Sequence, residues 1–382
     1  MRRVLLLGCT AIAFGCSRPP AAVEPTVAGT ARDAGPGDVR AELARRDAEL
    51  TASRAQVEEL RRLLDERARP AGDGEAAEPT AAVPPAGPNG LVVLARERIH
   101  EGTVSSVAFA PDGKTVASAD TLGRVVISDA ADLKPVRAVE AVTGLGVQNC
   151  AYSVCFAPDG RYVAAGSEDR TVWVWRAEDG KLMKRVRGHR DAVEHVFFLP
   201  DGRGGLSFDR QGVGLAWSID GERRELVPDR RIRKAALTPD GELLAWSDGG
   251  RTVCGPPSQA TPTADLGSFA DALAVSRDGE AVAKGSSTYC VEVWDPHTGT
   301  RRWAGPPLPA RVHSLAFRAD GKKLVSLATG TLSVWDVRTG DETHRFRVRP
   351  EDGACRMALG GDGRTLAVGN RQGMLTLVRL PE

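Results

Sequence analysis

Few stretches of this chain carry residue types that could do chemistry. Gly113-Lys114-Thr115 echoes the end of a phosphate-binding loop, where glycine amides and a lysine cradle a phosphate. The echo is incomplete, because Ala108 stands where that pattern needs glycine and the flanks read as a hairpin, not a strand entering a helix. Gly205-Leu206-Ser207-Phe208-Asp209 begins like the strained turn that presents a nucleophilic serine, but its last position requires glycine. The six histidines are scattered, and no Cys or His spacing matches a zinc site. Carboxylates are plentiful, yet most stand in turns, where a turn role is the simpler account. The chain is therefore read as a non-enzyme, with no catalytic residue, no cofactor and no metal.

Cysteine offers one further chemistry, acylation. Arg2 and Arg3 form a positive leader, and Val4 to Phe14 is an apolar run of 11 residues, a length that suits an export signal and is too short to cross a bilayer. Ala13-Phe14-Gly15-Cys16 then resembles the lipobox of bacterial lipoproteins, which implies a lipid on Cys16 and residues 1–15 as the signal peptide. Phe14 is bulkier than that box prefers, and Leu6-Leu7-Gly8-Cys9 is an alternative that leaves only five residues of apolar run. An ordinary cleaved signal with a chance cysteine is the plainer account. Ser17 after the lipidated cysteine would, by the sorting rule of enteric lipoproteins, imply the outer membrane. Cys150, Cys155, Cys254, Cys290 and Cys355 remain, an odd number for an oxidising compartment. Cys155, Cys254 and Cys290 fall in predicted strands of three different repeats, so unpaired buried thiols are expected, and one disulfide stays open.

Behind the signal, composition divides the chain. Residues 16–36 are rich in Pro, Ala and Gly and read as a tether. Residues 37–69 are strongly helix-forming, and Leu43, Leu50, Val57 and Leu64 recur every seventh position. Only half of a coiled-coil seam is apolar, so the segment is either a weak coiled coil, with oligomerisation as its consequence, or a single charge-laced helix. Pro70 ends it, and 70–90 is a second Pro/Ala/Gly-rich linker. A net charge of +1 gives no general pull toward nucleic acid.

From Leu91 onward one phrase repeats seven times: an apolar run, a turn ending in Asp-Gly, and a second apolar run. The aspartates are Asp112, Asp159, Asp201, Asp240, Asp278, Asp320 and Asp362, separated by 47, 42, 39, 38, 42 and 42 residues. A period near forty with strands on both sides of a turn predicts propeller blades. Asp can bond its own backbone two residues on, and Gly takes the positive φ that closes a hairpin. Small residues (Ala108, Cys155, Ala236, Ala274, Ala316, Ala358) between large ones point to strands buried on both faces. The last repeat leaves no room for a fourth strand, whereas Leu91-Val92-Val93-Leu94 has nothing else to pair with. Pairing these termini in one blade would close the ring and remove two free edges.

Third strands ending in Trp175, Trp294-Asp295 and Trp335-Asp336, with Gly188-His189 and His100 each four residues before a repeat, resemble the WD-repeat family. The resemblance spans nearly all of 91–382. It implies an all-β, seven-bladed propeller of four-stranded antiparallel blades, in which a loop His, a turn Asp, a strand Ser and the Trp brace each blade. The third repeat holds both His189 and Trp217, with Gln211 in the expected Asp slot. Ser128 replaces the Trp of the first repeat, and the fourth, with Val253-Cys254-Gly255-Pro256-Pro257, has none.

Two features mark a candidate partner surface. One is the long connection around Thr143, Leu145, Gln148 and Asn149, on the face that receives partners in WD-repeat proteins; a tolerated loop insertion is the plainer account. The other is the basic run Arg223, Arg224, Arg230, Arg231, Arg233 and Lys234, which would suit an anionic surface or be merely a solvated loop. Together these imply an exported, lipid-anchored scaffold of the bacterial cell envelope that binds protein partners. An envelope-assembly factor, or a propeller hydrolase or lactonase using the central channel, are the alternatives. Convergent Asp, Glu or His in the channel would favour the enzyme, and a mixed polar and aromatic rim the scaffold.

Overall fold

The structure, a computed structural model, describes residues 91–141, 150–221, 223–226, 232–259, 261–347 and 353–381. Cys16 and the expected tether, helix and linker over 16–90 lie outside them, as do Thr143, Leu145, Gln148, Asn149, Arg230 and Arg231. The described residues form seven antiparallel sheets of four strands. The first blade is Val104–Phe109, Thr115–Asp120, Arg124–Asp129 and Pro135–Glu140, paired in chain order. Blades two to six repeat this order over 151–186, 193–226, 234–268, 270–304 and 312–347.

Turn chemistry generates the repeats. In every one of the seven Asp-Gly turns the Asp Oδ1 accepts the backbone N–H two residues on, at 2.9–3.1 Å. The glycines that follow take φ from +64° to +77°, a region where a Cβ is penalised. Gly113-Lys114-Thr115 is one of these turns and not a phosphate loop.

The first strands contact one another in sequence around a closed circuit, the seventh returning to the first. They thus border a central channel. One apolar cluster fills each of the seven blade interfaces, for example Val116, Val126, Leu375 and Leu377 between the seventh and first. Burying each such side chain stabilises the ring by about 1.5–3 kcal/mol, which is why the blades need one another. The second and third strands carry this burial. The first strands are only half-buried over much of their length, because one edge faces the channel. Their two faces still pack in different interfaces, as the small residues led one to expect: Val107 and Phe109 pack between the seventh and first blades, and Ala108 between the first and second.

The seventh blade closes the ring as the termini require. Val92–Arg98 pairs antiparallel with Met374–Arg379, outside Thr365–Asn370 and Ala354–Leu359. A register shift falls between Val93 and Ala95, and Val92 and Val93 are exposed. Closure therefore rests on backbone pairing in this strand and on the residues just after it. Ile99 and His100 are buried, and both their amides donate to the Gly373 carbonyl, at 3.0 and 3.1 Å.

Cys150, Cys155, Cys254 and Cys290 are free thiols. Cys155 and Cys254 lie in strands, but Cys290 lies just before Val291–Trp294, not within it. Burial pushes the Cys155 and Cys254 thiols up to about 12. Both stay protonated at neutral pH, consistent with structural thiols.

Candidate functional site at the channel mouth

The bracing side chains come first, since they set the loops. His100 Nδ1 donates to Asp120 Oδ2 at 3.1 Å, which leaves Nε2 to accept the Ser118 hydroxyl at 2.7 Å. Asp120 Oδ1 also accepts the amides of Leu122 and Arg124, at 2.9 and 2.8 Å, fixing the turn between strands two and three. The third blade repeats this with His189 Nε2 on Ser207 at 2.7 Å. Its turn carboxylate is Asp209, not Gln211: Asp209 accepts the amides of Arg190, Gln211 and Val213 at 2.8–3.0 Å. Gln211 sits in the turn that Asp209 organises. His189 Nδ1 lies 3.5 Å from Asp209 and makes no hydrogen bond, and Trp217 Nε1 is likewise buried without one. Trp175 is buried and stacks on Trp173. Trp335 Nε1 donates to Ser326 Oγ at 2.9 Å, the Ser–Trp half of the expected brace. Asp295 and Asp336 each accept two amides of the turn that follows, at 2.9–3.1 Å.

The fifth blade fills the same position with different chemistry. Lys284 stands six residues after its turn aspartate, where Ser118, Ser207 and Ser326 stand in their blades. It is buried, and its three N–H donors meet Leu266 O at 2.7 Å, Ser268 O at 3.1 Å and Glu292 Oε2 at 3.3 Å. Glu292 Oε2 also accepts Trp294 Nε1 at 2.9 Å. Alignment of the repeats on their turn aspartates would have exposed this lysine; reading each repeat for His and Trp alone did not.

These braces set one end of the channel, where the second-to-third hairpins meet the connections between blades. Tyr152, Glu168, Glu194 and Arg210 interlock there. Arg210 Nε donates to Glu194 Oε1 at 2.9 Å and its Nη2 to the Tyr152 hydroxyl at 2.9 Å, while that hydroxyl donates to Glu168 Oε2. Burial, then Glu168, raises the Tyr152 pKa, so the phenol stays neutral. On the far side Arg311 Nε pairs with Asp271 Oδ2 at 3.1 Å, and His313 Nε2 lies 2.8 Å from Thr329 Oγ1. Burial, then the charge of Arg356, holds His313 below the ordinary imidazole range.

One level deeper the first strands are stitched to each other. The Ser106 and Ser153 hydroxyls accept the amides of Val154 and Val196 in the following blade, at 3.1 and 3.3 Å. His195 Nε2 donates to Arg233 O at 3.2 Å, and Ser314 Oγ to Met357 O at 3.3 Å. Arg356 Nε reaches the Ser105 carbonyl at 2.6 Å, joining the seventh blade to the first.

The basic run does not form one patch. Arg223 and Arg224 are exposed on the outermost strand of the third blade, Arg223–Leu226. Lys234 opens the innermost strand of the fourth, Lys234–Leu237, and Arg233 precedes it, exposed beside Gly249. The two strands stand at opposite edges of their blades, one outermost and one innermost. Among the described residues no group of three or more His, Cys, Asp or Glu is placed to hold a metal ion. The rim is mixed, with tyrosine, arginine and carboxylates bonded to one another.

Comparison with known proteins agrees with the repeats. The family model "WD40: WD domain, G-beta repeat" matches residues 94–127 and 145–176, so the chain carries WD40 repeats. It is similar to the angio-associated migratory cell protein of Homo sapiens, 25% identical over 180 residues, covering 47% of this chain and 33% of that protein. It is also similar to the nuclear distribution protein PAC1 of Coccidioides posadasii, 26% identical over 200 residues, covering 47% and 37%. PAC1-2 of Uncinocarpus reesii is 27% identical over 191 residues, covering 46% and 36%. The chain thus spans about a third of the length of these curated relatives.

Proposed function

We propose that this WD40 propeller is a non-catalytic protein-binding scaffold, exported and held at the bacterial cell envelope by a lipid on Cys16. The observation that carries the binding role is the channel mouth. Glu168 and Glu194 are both engaged by Arg210, and Asp271 by Arg311, so these carboxylates are committed to shaping a rim. A general base needs a carboxylate within reach of a substrate proton and poised to take it. A rigid rim of alternating charge with a tyrosine suits protein recognition, since it holds its shape before a partner arrives.

The connection that carries Thr143, Leu145, Gln148 and Asn149 is the segment we assign to partner contact. Its described flanks support this, because Ala141 N donates to Gly123 O at 2.8 Å and Cys150 O accepts Glu168 N at 2.8 Å. Both partners belong to second-to-third hairpins, so the connection starts and ends at the rim.

Two measurements test the reading. Affinity capture from solubilised envelope with the full chain should return a protein that is lost when Thr143, Leu145, Gln148 and Asn149 are replaced together by serine. Identical capture by both chains would remove this surface from consideration. Cys16→Ser should move the protein from the membrane fraction to the soluble one, and fatty-acid labelling that survives the substitution would refute the anchor.

A further inference from the structure

At its level of the channel wall, where the fifth blade has Ala272, Lys234 differs from every other polar side chain. Its pairing with Ser247 places it in register with Ser106, Ser153, His195, Ser314 and Arg356 of the other first strands. Each of those side chains bonds a neighbouring first strand or the residue leading into it. Lys234 Nζ, by contrast, has no hydrogen bond or ion pair among the described residues.

Lys234 itself is half-buried. Burial, then the charge of Arg356, lowers its pKa, and Arg311 acts in the same direction against Glu194 and Asp271. Arg356 belongs to the seventh blade, across the ring from the fourth. Arg356 also acts on His195 of the third blade and His313 of the sixth. Lys234, His195 and Arg356 share one level of the first strands, which border the channel. The carboxylates nearest to it are already matched, Glu194 by Arg210 at 2.9 Å and Asp271 by Arg311 at 3.1 Å. A lysine held among cations on a channel wall focuses positive potential there and draws in a counter-charge.

We propose that the channel beside Lys234 binds a small oxyanion, a phosphate or a carboxylate group, with Lys234 as the principal donor and Arg356 adding positive charge from the opposite wall. Either group offers several acceptor oxygens to an ammonium point charge, and charge-assisted hydrogen bonds are stronger than neutral ones. The ligand is a free anion or the anionic end of a flexible chain, since it must reach below the rim. This site stands independently of the partner surface proposed above, because it lies inside the channel.

Calorimetric titration of the full chain in detergent, at fixed ionic strength, tests the site with inorganic pyrophosphate and, separately, citrate. We expect saturable binding at one site per chain for at least one anion. Pyrophosphate alone would assign the site to phosphoryl groups, and citrate alone to carboxylates. Lys234→Gln should weaken binding about tenfold or more, the loss of a charged hydrogen bond. Because Lys234 holds nothing together, that variant should melt with the wild type when no anion is present. Arg224→Gln, which removes an equal charge from the outer strand of the third blade, should bind as the wild type does. No saturable heat from either anion, or equal affinity in Lys234→Gln, would overturn the proposal.

Discussion

The first and fifth blades solve the same problem with opposite chemistry. In the first, a histidine bridges Ser118 and the carboxylate of Asp120. In the fifth, a buried lysine occupies the serine position and ties two backbone carbonyls to Glu292 and Trp294. Both brace the join between consecutive blades, and both leave their polar atoms satisfied. The difference teaches that the fold demands a filled position with met donors and acceptors, not a particular residue. It also explains how repeats with so few of the expected bracing side chains still make regular blades. The third blade is intermediate, with His189 bonded through one nitrogen only.

The largest expected effect separates a brace from the strand beside it. A chain beginning at Ser105 loses both Val92–Arg98 and His100, whereas one beginning at Asn89 keeps them. The shorter chain should lose more than about 5 kcal/mol or fail to unfold cooperatively in denaturant. Equal denaturation midpoints would show that the ring does not depend on this closure.

Next comes the lysine brace itself. Lys284→Met should cost about 3–5 kcal/mol, because Glu292 keeps its charge in a buried site and two carbonyls lose their donor. Adding Glu292→Leu should restore part of that loss by removing the stranded charge. A double variant as unstable as the sum of the singles would mean the two residues are not coupled.

His100→Ala should cost about 2–3 kcal/mol, and His189→Ala about 1 kcal/mol less, matching its one fewer hydrogen bond. Chemical denaturation of the two variants measures the difference directly. A larger cost at His189 would reverse the ranking drawn from the geometry.

The smallest effect is in pH. Burial alone would raise the Asp120 carboxyl, but the His100 hydrogen bond and the Arg124 and Leu122 amides outweigh it and leave it below the ordinary range. A folded pKa below the unfolded value of about 3.9 means stability is fully present above that value and is lost as pH falls through the folded one. Asp120→Asn should therefore be less stable near neutrality yet show a shallower decline in denaturation midpoint below about pH 4. Parallel acid limbs in the two proteins would remove Asp120 as a contributor. Lys284 has the opposite sign. Burial lowers its pKa, so its cost is present at neutral pH and fades as pH rises toward about 10.4.

Several features were legible from single residues. Seven aspartates at a period near forty marked all seven first hairpins, and the two unpaired ends of the chain announced the closing strand. His100 was readable as a brace from its distance to Val104. Gln211 was misplaced because counting along a turn does not reveal which carboxylate faces the histidine; Asp209, two residues earlier, does so. Lys284 escaped because a lysine in an apolar strand has no meaning until its partners are known, and Leu266 and Ser268 come from the strand before its own blade.

The sequence by itself determined the repeat, the turn and the register of each hairpin. These are local: an Asp carboxylate reaches an amide two residues away, and a glycine's φ depends on nothing distant. Only the tertiary structure decided what meets in the channel. Arg356 and Ser105 are 251 residues apart in the chain and become neighbours only when the ring closes. Lys234 reads as part of a basic loop with Arg223 and Arg224, yet it stands on an innermost strand and they on an outermost one. Charge along a sequence counts residues, whereas the field in a channel depends on which strands face it, and that is set by seven blade interfaces packing at once.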